Sequence, residues 1–462
     1  MRGGGLGEVT QNRGEDMQVE RNKHHLTPRY AWAVALGVFA NQMLLVYSLK
    51  ILEINMASIA ADWGTTNASL GIMASFEGIG FGLFGALWGI LSDKIGSRLT
   101  ISAASFVSAS AMVCFGLFVN DVPVGCVLMG LIGVAAAGSD TATLPKVASS
   151  WFHHSRRGIA LTVFTVGGAV GGVVAGIIAG HLTADLGWRP SYVISGCICL
   201  GLAFVVLLLL RNSPEEEGTY AFGTPKDEVA RMCEGLRPTS SGVRYDRRLI
   251  VAVLKNPTTY RYSVVMIFWY CWYMTYSSYL VASVQEAGFP VQVAALAVSA
   301  ASLGCVTGSF VWSPLTDRFG RKGIFALVMA GAGLGSFGLL LFLNSGIANM
   351  AAMLAVVFCM GIFAASTPVM ESSLAEHYRP DMRGIGPGIV STFSSVGRFC
   401  GPLLAALVMT ALGSTQSYLY FSGGAAIVCS LAILIMVRKT GGAYGDPLAE
   451  KALREQDGSE AT

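Results

Sequence analysis

The chain has 462 residues, of which 53% are hydrophobic and only 13% are charged, and its formal net charge is +3. Soluble domains carry about 25% charged residues, and the mean hydropathy of this chain is +0.57. The composition therefore excludes an ordinary soluble globular protein and predicts a chain surrounded by lipid.

Hydrophobic runs follow one another along the chain, and each is long enough, at about 20 residues, to cross a bilayer as a helix. Because the runs are continuous and much longer than the roughly 10 residues of a barrel strand, helices are favoured. We place spans near residues 31–61, 68–91, 99–119, 122–150, 158–182, 190–211, 259–285, 292–316, 323–344, 348–375, 384–412 and 416–437. The sequence thus predicts an all-α membrane protein with twelve transmembrane helices.

Polar segments divide these spans into two sets of six. The predicted tails are residues 1–30 and 439–462, and the two predicted six-helix bundles are residues 31–211 and 259–438. Between the bundles lies a linker, residues 212–258, which is rich in Pro, Gly, Glu and Arg. With the N-terminus in the cytoplasm, nearly all basic residues outside the spans fall on the cytoplasmic side, as the positive-inside rule requires. We therefore expect a multi-pass protein of the plasma membrane (the inner membrane in a bacterium), with both termini cytoplasmic.

Enzyme chemistry is not indicated by the sequence. The ten cysteines show no paired spacing, and the six histidines form no ligand cluster, so neither a disulfide framework nor a metal site is expected. No nucleophile–base set or phosphate-binding loop is apparent. We expect no cofactor and no nucleic-acid partner, and an ion gradient rather than ATP as the energy source.

One short charged sequence occurs twice, as "WGILSDKIGSR" at 88–98 and "WSPLTDRFGRK" at 312–322. Its aspartates, Asp93 and Asp317, are 224 residues apart. The same register aligns two further pairs, Arg157-Gly158 with Arg383-Gly384 at a spacing of 226 and Pro145 with Pro368 at a spacing of 223. The chain is therefore predicted to be a parallel duplication of a six-helix unit.

The repeated sequence resembles the loop-two signature of the major facilitator superfamily, G-x-L-x-D-[KR]-x-G-[RK]-[RK]. Residues 151–196 and the stretch "MRGIGPGIVSTFSSVGRFCGPLL" resemble other parts of the same family. Ser97 departs from the signature by replacing a base, and Ser313-Pro314 by replacing the first glycine of the second copy. The resemblance implies two bundles that rock about a central cavity and a gating role for the repeated motif, here Gly89, Asp93, Lys94, Gly96, Arg98, Asp317, Arg318, Gly320 and Arg321. A polar loop that only obeys the positive-inside rule is the alternative, and two copies in register speak against it.

Charged residues inside the spans are costly in lipid and usually face a cavity. Lys50 lies in the first span on one face with Tyr47 and Glu53, and Arg398 lies at the centre of the eleventh, where the first repeat has Gly172. We interpret Lys50 and Arg398 as two bases that bind an anion, most simply a carboxylate, from opposite bundles. The alternatives are an internal Lys50–Glu53 ion pair and a structural Arg398 bonded to backbone carbonyls.

Three carboxylates inside the spans, Glu53, Glu77 and Asp140, are candidates for proton coupling. A carboxylate in a cavity of low dielectric constant can bind and release a proton near neutral pH. The alternative is that Glu77 and Asp140 are only hydrogen-bonded to hydroxyl groups such as those of Ser139 and Thr141.

The seventh span is rich in aromatic residues, and 269, 272, 273, 276 and 279 fall on one helical face. Interfacial belts explain aromatic residues at span ends but not a stripe through the middle. Trp272, Tyr273 and Tyr276 could therefore stack on a ring-bearing substrate, or the stripe could pack between helices; both interpretations stay open.

These observations predict a secondary active transporter that moves a small organic anion, a monocarboxylate or an aromatic acid, by proton symport and works as a monomer. A sodium gradient is the other possible energy source. A neutral-sugar carrier or a drug exporter is the alternative within transporters, although a cationic-drug exporter would not need Lys50 and Arg398. A membrane sensor that does not transport is the alternative from another class.

Overall fold

A computed structural model describes residues 28–140, 143–153, 155–225, 247–366, 369–370, 373–374, 377–378 and 385–437, with a few helical side chains left out. The described chain is almost entirely helical. Its first half contains α1 (Ala31–Asp62), α2 (Asn67–Ile95), α3 (Ser97–Phe118), α4 (Val122–Ser139), α5 (Leu144–Trp151), α6 (Arg157–Leu186) and α7 (Trp188–Leu209). Its second half contains α8 (Arg247–Lys255), α9 (Pro257–Glu286), α10 (Val291–Phe319), α11 (Arg321–Asn344), α12 (Met350–Ala364), α13 (Ile385–Leu412) and α14 (Tyr418–Met436).

Ten segments of the described chain are long and apolar enough to cross a membrane. The remaining two spans are α9, a helix of 30 residues whose hydroxyl and aromatic side chains lower its hydropathy, and the shorter apolar helix α12. The predicted all-α architecture with twelve transmembrane helices in two repeated bundles is confirmed.

The fourth predicted span differs from the structure in one respect that bears on function. Residues 122–150 were expected to form one helix, but α4 ends at Ser139 and α5 starts at Leu144. Asp140, expected in the middle of a span, is the residue that follows the last turn of α4. The span therefore breaks where its candidate proton-binding carboxylate lies.

Helix pairing is the same in both bundles. In the first, α1 packs on α6, α2 on α4 and α3 on α7; in the second, α9 packs on α13, α10 on α12 and α11 on α14. The bundles meet each other mainly along two helix pairs, α2 with α13 and α6 with α10. The predicted duplication thus extends from sequence to packing.

Glycines allow the helices at each of these two interfaces to approach closely. A Cβ atom on Gly78 would lie 2.9 Å from the carbonyl oxygen of Arg398, and one on Gly172 would lie 2.1 Å from Oγ of Ser302. Gly78 and Ser302 occupy equivalent repeat positions, as do Gly172 and Arg398. The two interfaces are therefore repeat-related copies, and small residues allow the backbones to approach as they do between membrane helices.

We call the side of the molecule that carries Asp93 and Asp317 the motif side and the opposite side the far side. The described contacts between the bundles run from the middle of the molecule to the far side, where Nδ2 of Asn67 lies 3.2 Å from Oγ1 of Thr415. Toward the motif side, the last of these contacts join Gly82 to Ser395 and Gly172 to Ser302. The bundles are closed against each other on the far side.

Candidate functional site

Lys50 and Glu53 form an ion pair on α1. Nζ of Lys50 lies 2.9 Å from Oε1 and 3.0 Å from Oε2 of Glu53, and both side chains are largely buried. Ser277 of α9 hydrogen-bonds to both residues, so a hydroxyl from the second bundle completes the cluster. The Lys50–Glu53 ion pair that the sequence offered as an alternative is thus present. Its contact with Ser277 was not predicted.

Arg398 of α13 is buried, with 5% of its surface exposed, and lies against aromatic rings. Its Cζ atom is 3.7 Å from the centroid of the Tyr270 ring and 4.3 Å from that of Phe81. Its Nη2 atom donates a hydrogen bond to the Tyr270 hydroxyl, whereas Nε has no hydrogen-bond partner in the described part of the chain. None of the ion pairs between described residues includes Arg398.

Tyr273 lies between the two bases. It interacts electrostatically with Lys50 and with Arg398, Nζ of Lys50 is 5.9 Å from its ring centroid, and the ring stacks on Trp269 at 5.1 Å. Glu77 also interacts electrostatically with Lys50 and Glu53. The structure therefore brings the predicted bases and Tyr273 to one site between the bundles, next to Glu77.

Asp140 is held at the end of α4 by side chains of α1. Nε2 of Gln42 donates a hydrogen bond to Oδ1 of Asp140 at 3.0 Å, and Nδ2 of Asn41 donates one to the carbonyl oxygen of Ser139 at 3.0 Å. Asp140 also interacts electrostatically with Arg398. The hydroxyl of Ser139 bonds within its own helix, and Thr141 lies outside the described residues. Gln42 is the partner of Asp140 that the sequence did not indicate.

Tyr47 points away from Lys50. Its hydroxyl lies 2.7 Å from Oγ of Ser195 on α7, so it joins two helices of the first bundle. As an element of the binding site it remains a prediction, and its observed contact is structural.

The face of α9 that meets the first bundle and Arg398 carries Tyr270, Tyr273 and Ser277. Of the stripe predicted from the sequence, Trp269 bonds to Ser366 and Tyr279 to the carbonyl oxygen of Pro402, both within the second bundle.

Trp272 and Tyr276 are buried and stack on each other at 5.9 Å. Nε1 of Trp272 and the hydroxyl of Tyr276 have no hydrogen-bond partner among the described residues. Tyr276 also interacts electrostatically with Glu53. The ring of Trp272 lies 6.2 Å from that of Tyr273, and contact of Trp272 and Tyr276 with a substrate stays a prediction.

The repeated motif forms the same turn in both halves. Gly96 has φ +86° and Gly320 has φ +84°, a conformation that glycine adopts without steric cost. Each glycine ends one helix immediately before the next begins. The indole nitrogens of Trp88 and Trp312 donate to the carbonyl oxygens of Val134 and Ile362, each at 2.7 Å.

Charged residues of the motif make contacts within one bundle. Oδ1 of Asp93 lies 2.8 Å from Nζ of Lys146, and Nε of Arg98 donates to the carbonyl oxygen of Leu207. Arg318 lies over the ring of Phe319. Of the remaining motif residues, Gly89 lies within α2, Lys94 is exposed near the end of α2 and Arg321 begins α11, whereas the side chain of Asp317 lies outside the described residues.

The family model of the major facilitator superfamily matches residues 38–293 and 261–455, which together span most of the chain. The chain belongs to the major facilitator superfamily. The two overlapping matches agree with the duplicated architecture described above.

Relatives of known identity include carriers of different solutes. The chain is 23% identical to the hexuronate transporter of Bacillus subtilis over 428 residues, which cover 88% of this chain and 94% of the relative. It is 23% identical to the gentisate transporter of Corynebacterium glutamicum over 458 residues, 94% of this chain and 95% of the relative. A membrane sensor protein of Salmonella typhimurium, UhpC, is 22% identical over 81% of this chain and 85% of its own length.

Solved structures share the fold at lower identity. The D-xylose–proton symporter superposes with a TM-score of 0.68 at 16% identity, covering 89% of this chain and 98% of that one. A bacterial homologue of the human lysosomal transporter Spinster, in an inward-facing and unoccupied conformation, gives a TM-score of 0.61 at 16% identity over 88% and 95% of the two chains. These similarities establish the arrangement of the helices and do not identify the substrate.

Proposed function

We propose that this protein is a proton-coupled symporter of small organic anions, monocarboxylates or aromatic acids, in the inner membrane of a bacterial cell. The motif side and both termini are cytoplasmic in this proposal, and the working unit is a monomer. The observation that carries it is the buried guanidinium of Arg398, which has no ion-pair partner among the described residues.

The charges around the site favour an anionic ligand. Lys50 is matched by Glu53, whereas the side-chain contacts of Arg398 among the described residues are with two aromatic rings and the Tyr270 hydroxyl. An unpaired buried charge costs several kcal/mol, and a bound carboxylate compensates it. Since Nε is without a partner, the guanidinium can offer two parallel N–H donors to a carboxylate.

Relatives of this chain support the same ligand class. Two of the relatives that cover most of the chain are named for hexuronate and gentisate, which are both carboxylates. Gentisate is in addition a planar aromatic ring, and Tyr273 between Lys50 and Arg398 presents a surface on which such a ring can stack.

Proton coupling is supported by two carboxylates beside the bases. Glu77 and Asp140 form no ion pair within 4.0 Å among the described residues, yet each interacts with a base of the site at longer range. A proton bound by either carboxylate compensates the charge of an incoming anion. The loaded carrier then changes conformation without carrying an added net charge.

A direct test uses substrates that differ in one group. Purified protein in proteoliposomes is offered labelled glucuronate, glucose, gentisate and a primary amine, with an imposed pH gradient, a sodium gradient or neither. We expect uptake of the carboxylates, accelerated when the outside is acidic, and none of glucose or the amine. Uptake of glucose at the rate of glucuronate would make the protein a neutral-sugar carrier.

A membrane sensor is the second candidate, because the similarity to UhpC extends over 81% of this chain. A sensor can bind the same anion at Arg398 without moving it. Saturable binding of a carboxylate to detergent-solubilised protein, without accumulation of that compound in proteoliposomes under any gradient, would support the sensor.

A further inference from the structure

Ser277 of α9 is the point at which the second bundle contacts the Lys50–Glu53 ion pair. Its hydroxyl accepts a hydrogen bond from Nζ of Lys50 and donates one to Oε1 of Glu53. The residue is buried, with 6% of its surface exposed. One small hydroxyl therefore serves both members of the pair.

The two hydrogen bonds of Ser277 cross from one bundle to the other, whereas the Lys50–Glu53 ion pair lies within one bundle. Lys50 and Glu53 are both on α1, so their pair moves with the first bundle as a unit. Ser277 is on α9 and moves with the second bundle. Opening of the far side must separate α1 from α9 at this depth, and this separation breaks both hydrogen bonds of Ser277 while the ion pair can persist.

The neighbouring serine provides an internal comparison. Ser278 is buried to the same degree as Ser277, but its hydroxyl bonds to the carbonyl oxygen of Met274 in its own helix at 2.8 Å. Since successive residues of a helix point about 100° apart, only one of the two serines reaches α1. The contact thus depends on a single position of α9.

We propose that Ser277 is a positioning residue that couples closure of the far side to the state of the Lys50–Glu53 ion pair. The intact pair holds Ser277 and keeps the far side closed. An anion that draws Lys50 away from Glu53 removes a partner of the serine and favours opening. This role rests on the proposed function, because it assumes that the bundles move around a bound anion.

The first test measures closure without substrate. Spin labels are attached to cysteines introduced at the exposed far-side residues Asp185 and Ile347, in a chain whose native cysteines are replaced by alanine. Electron-spin distance measurements then give the fractions of far-side-closed and far-side-open molecules in nanodiscs. Ser277→Ala should raise the ratio of open to closed molecules about tenfold, the usual effect of a hydrogen bond to a charged group.

Two further variants control this measurement. Ser278→Ala should leave the ratio at the parent value, and Ser277→Thr, which keeps the hydroxyl, should restore it. Should Ser277→Ala fail to assemble, Ser277→Gly replaces it, because glycine also lacks the hydroxyl and adds no thiol to the labelled chain. An unchanged ratio in Ser277→Ala, or an equal change in Ser278→Ala, would overturn the proposal.

A second readout concerns transport and separates the two proposals. In proteoliposomes, Ser277→Ala should change the maximal rate of carboxylate uptake at least threefold with little change in the concentration for half-maximal uptake. A change in that concentration alone would assign Ser277 to ligand binding and contradict a positioning role. If no carboxylate is transported at all, the proposed function fails, whereas the distance measurement still decides the role of Ser277.

Discussion

Nζ of Lys146 lies 2.8 Å from Oδ1 of Asp93, and both residues belong to the first bundle. The family resemblance implied that Asp93 helps to hold one bundle against the other. In the far-side-closed structure its partner instead comes from its own bundle, on α5. A contact of Asp93 with the second bundle therefore has either to form beside this ion pair or to replace it when the motif side closes.

Replacing Asp93 with Asn should slow turnover more than it weakens binding. The neutral amide cannot pair with Lys146 or with a base of the second bundle, so the energies of the two conformations change while the site between the bundles stays intact. Initial rates over a range of carboxylate concentrations check this. An unchanged maximal rate with a weaker apparent affinity would contradict the gating role.

Asp93→Asn should change the thermal stability of the protein only slightly. Both side chains are partly exposed, 37% for Lys146 and 54% for Asp93, and ion pairs of this kind contribute about 0–1 kcal/mol. Thermal unfolding of Asp93→Asn and of Lys146→Gln in detergent should therefore differ from the parent protein by only a few degrees. A large loss of stability in either variant would show that the pair is structural.

Replacing Arg398 with Gln should abolish carboxylate uptake and weaken binding about 30-fold or more, because truncating one partner of a buried charge pair typically costs about 2–5 kcal/mol. Arg398→Lys should recover only part of the loss, since an ammonium group cannot form two parallel bonds. Equilibrium binding of labelled gentisate measures the effect. Lys255→Gln, at an exposed position of α8, is the matched control for loss of one positive charge, and wild-type binding by Arg398→Gln would dismiss the anion site.

Replacing Gly176 with Ala should disfavour the far-side-closed state. The added Cβ would lie 2.3 Å from Oγ of Ser299 and 2.6 Å from the carbonyl oxygen of Ala295, and overpacking of this kind costs about 1–3 kcal/mol. Gly201→Ala is the control, because a Cβ there has no atom within 4 Å among the described residues. The spin-label pair on the far side should report more open molecules for Gly176→Ala only.

Cys305 should be protected from alkylation by bound substrate. Its thiol interacts electrostatically with Lys50 and is half-buried, so an anion bound between the bases shields it from a maleimide. Mass spectrometry of the labelled peptides, with and without gentisate, checks this. Equal reactivity of Cys305 in both samples would place the ligand elsewhere.

The architecture was predictable because its signals are local or repeated. The length of each apolar run identified the spans, and the recurrence of Trp88 and Asp93 at 312 and 317 identified the duplication. The structure gives both tryptophans the same carbonyl contact. Burial of Lys50, Glu53 and Arg398 followed from the cost of charge in lipid.

The partners of these charged residues were not predictable, because they depend on the rotation of one helix against another. The aromatic stripe of α9 does not by itself reveal which face of the helix meets α1. Ser277 and Ser278 are chemically the same in the sequence, and packing alone distinguishes them. The helix break at Asp140 was hidden within an apolar run and became visible only with the contacts of Gln42.

Arg398 stands where the first repeat has Gly172, and each faces a small residue of the other bundle, Gly78 and Ser302. Duplication therefore produced two nearly equivalent interfaces between the bundles, and at this repeat position the interface of α2 with α13 carries a buried guanidinium whereas that of α6 with α10 carries a glycine. The repeated framework is thus symmetric in its backbone and asymmetric in its charge.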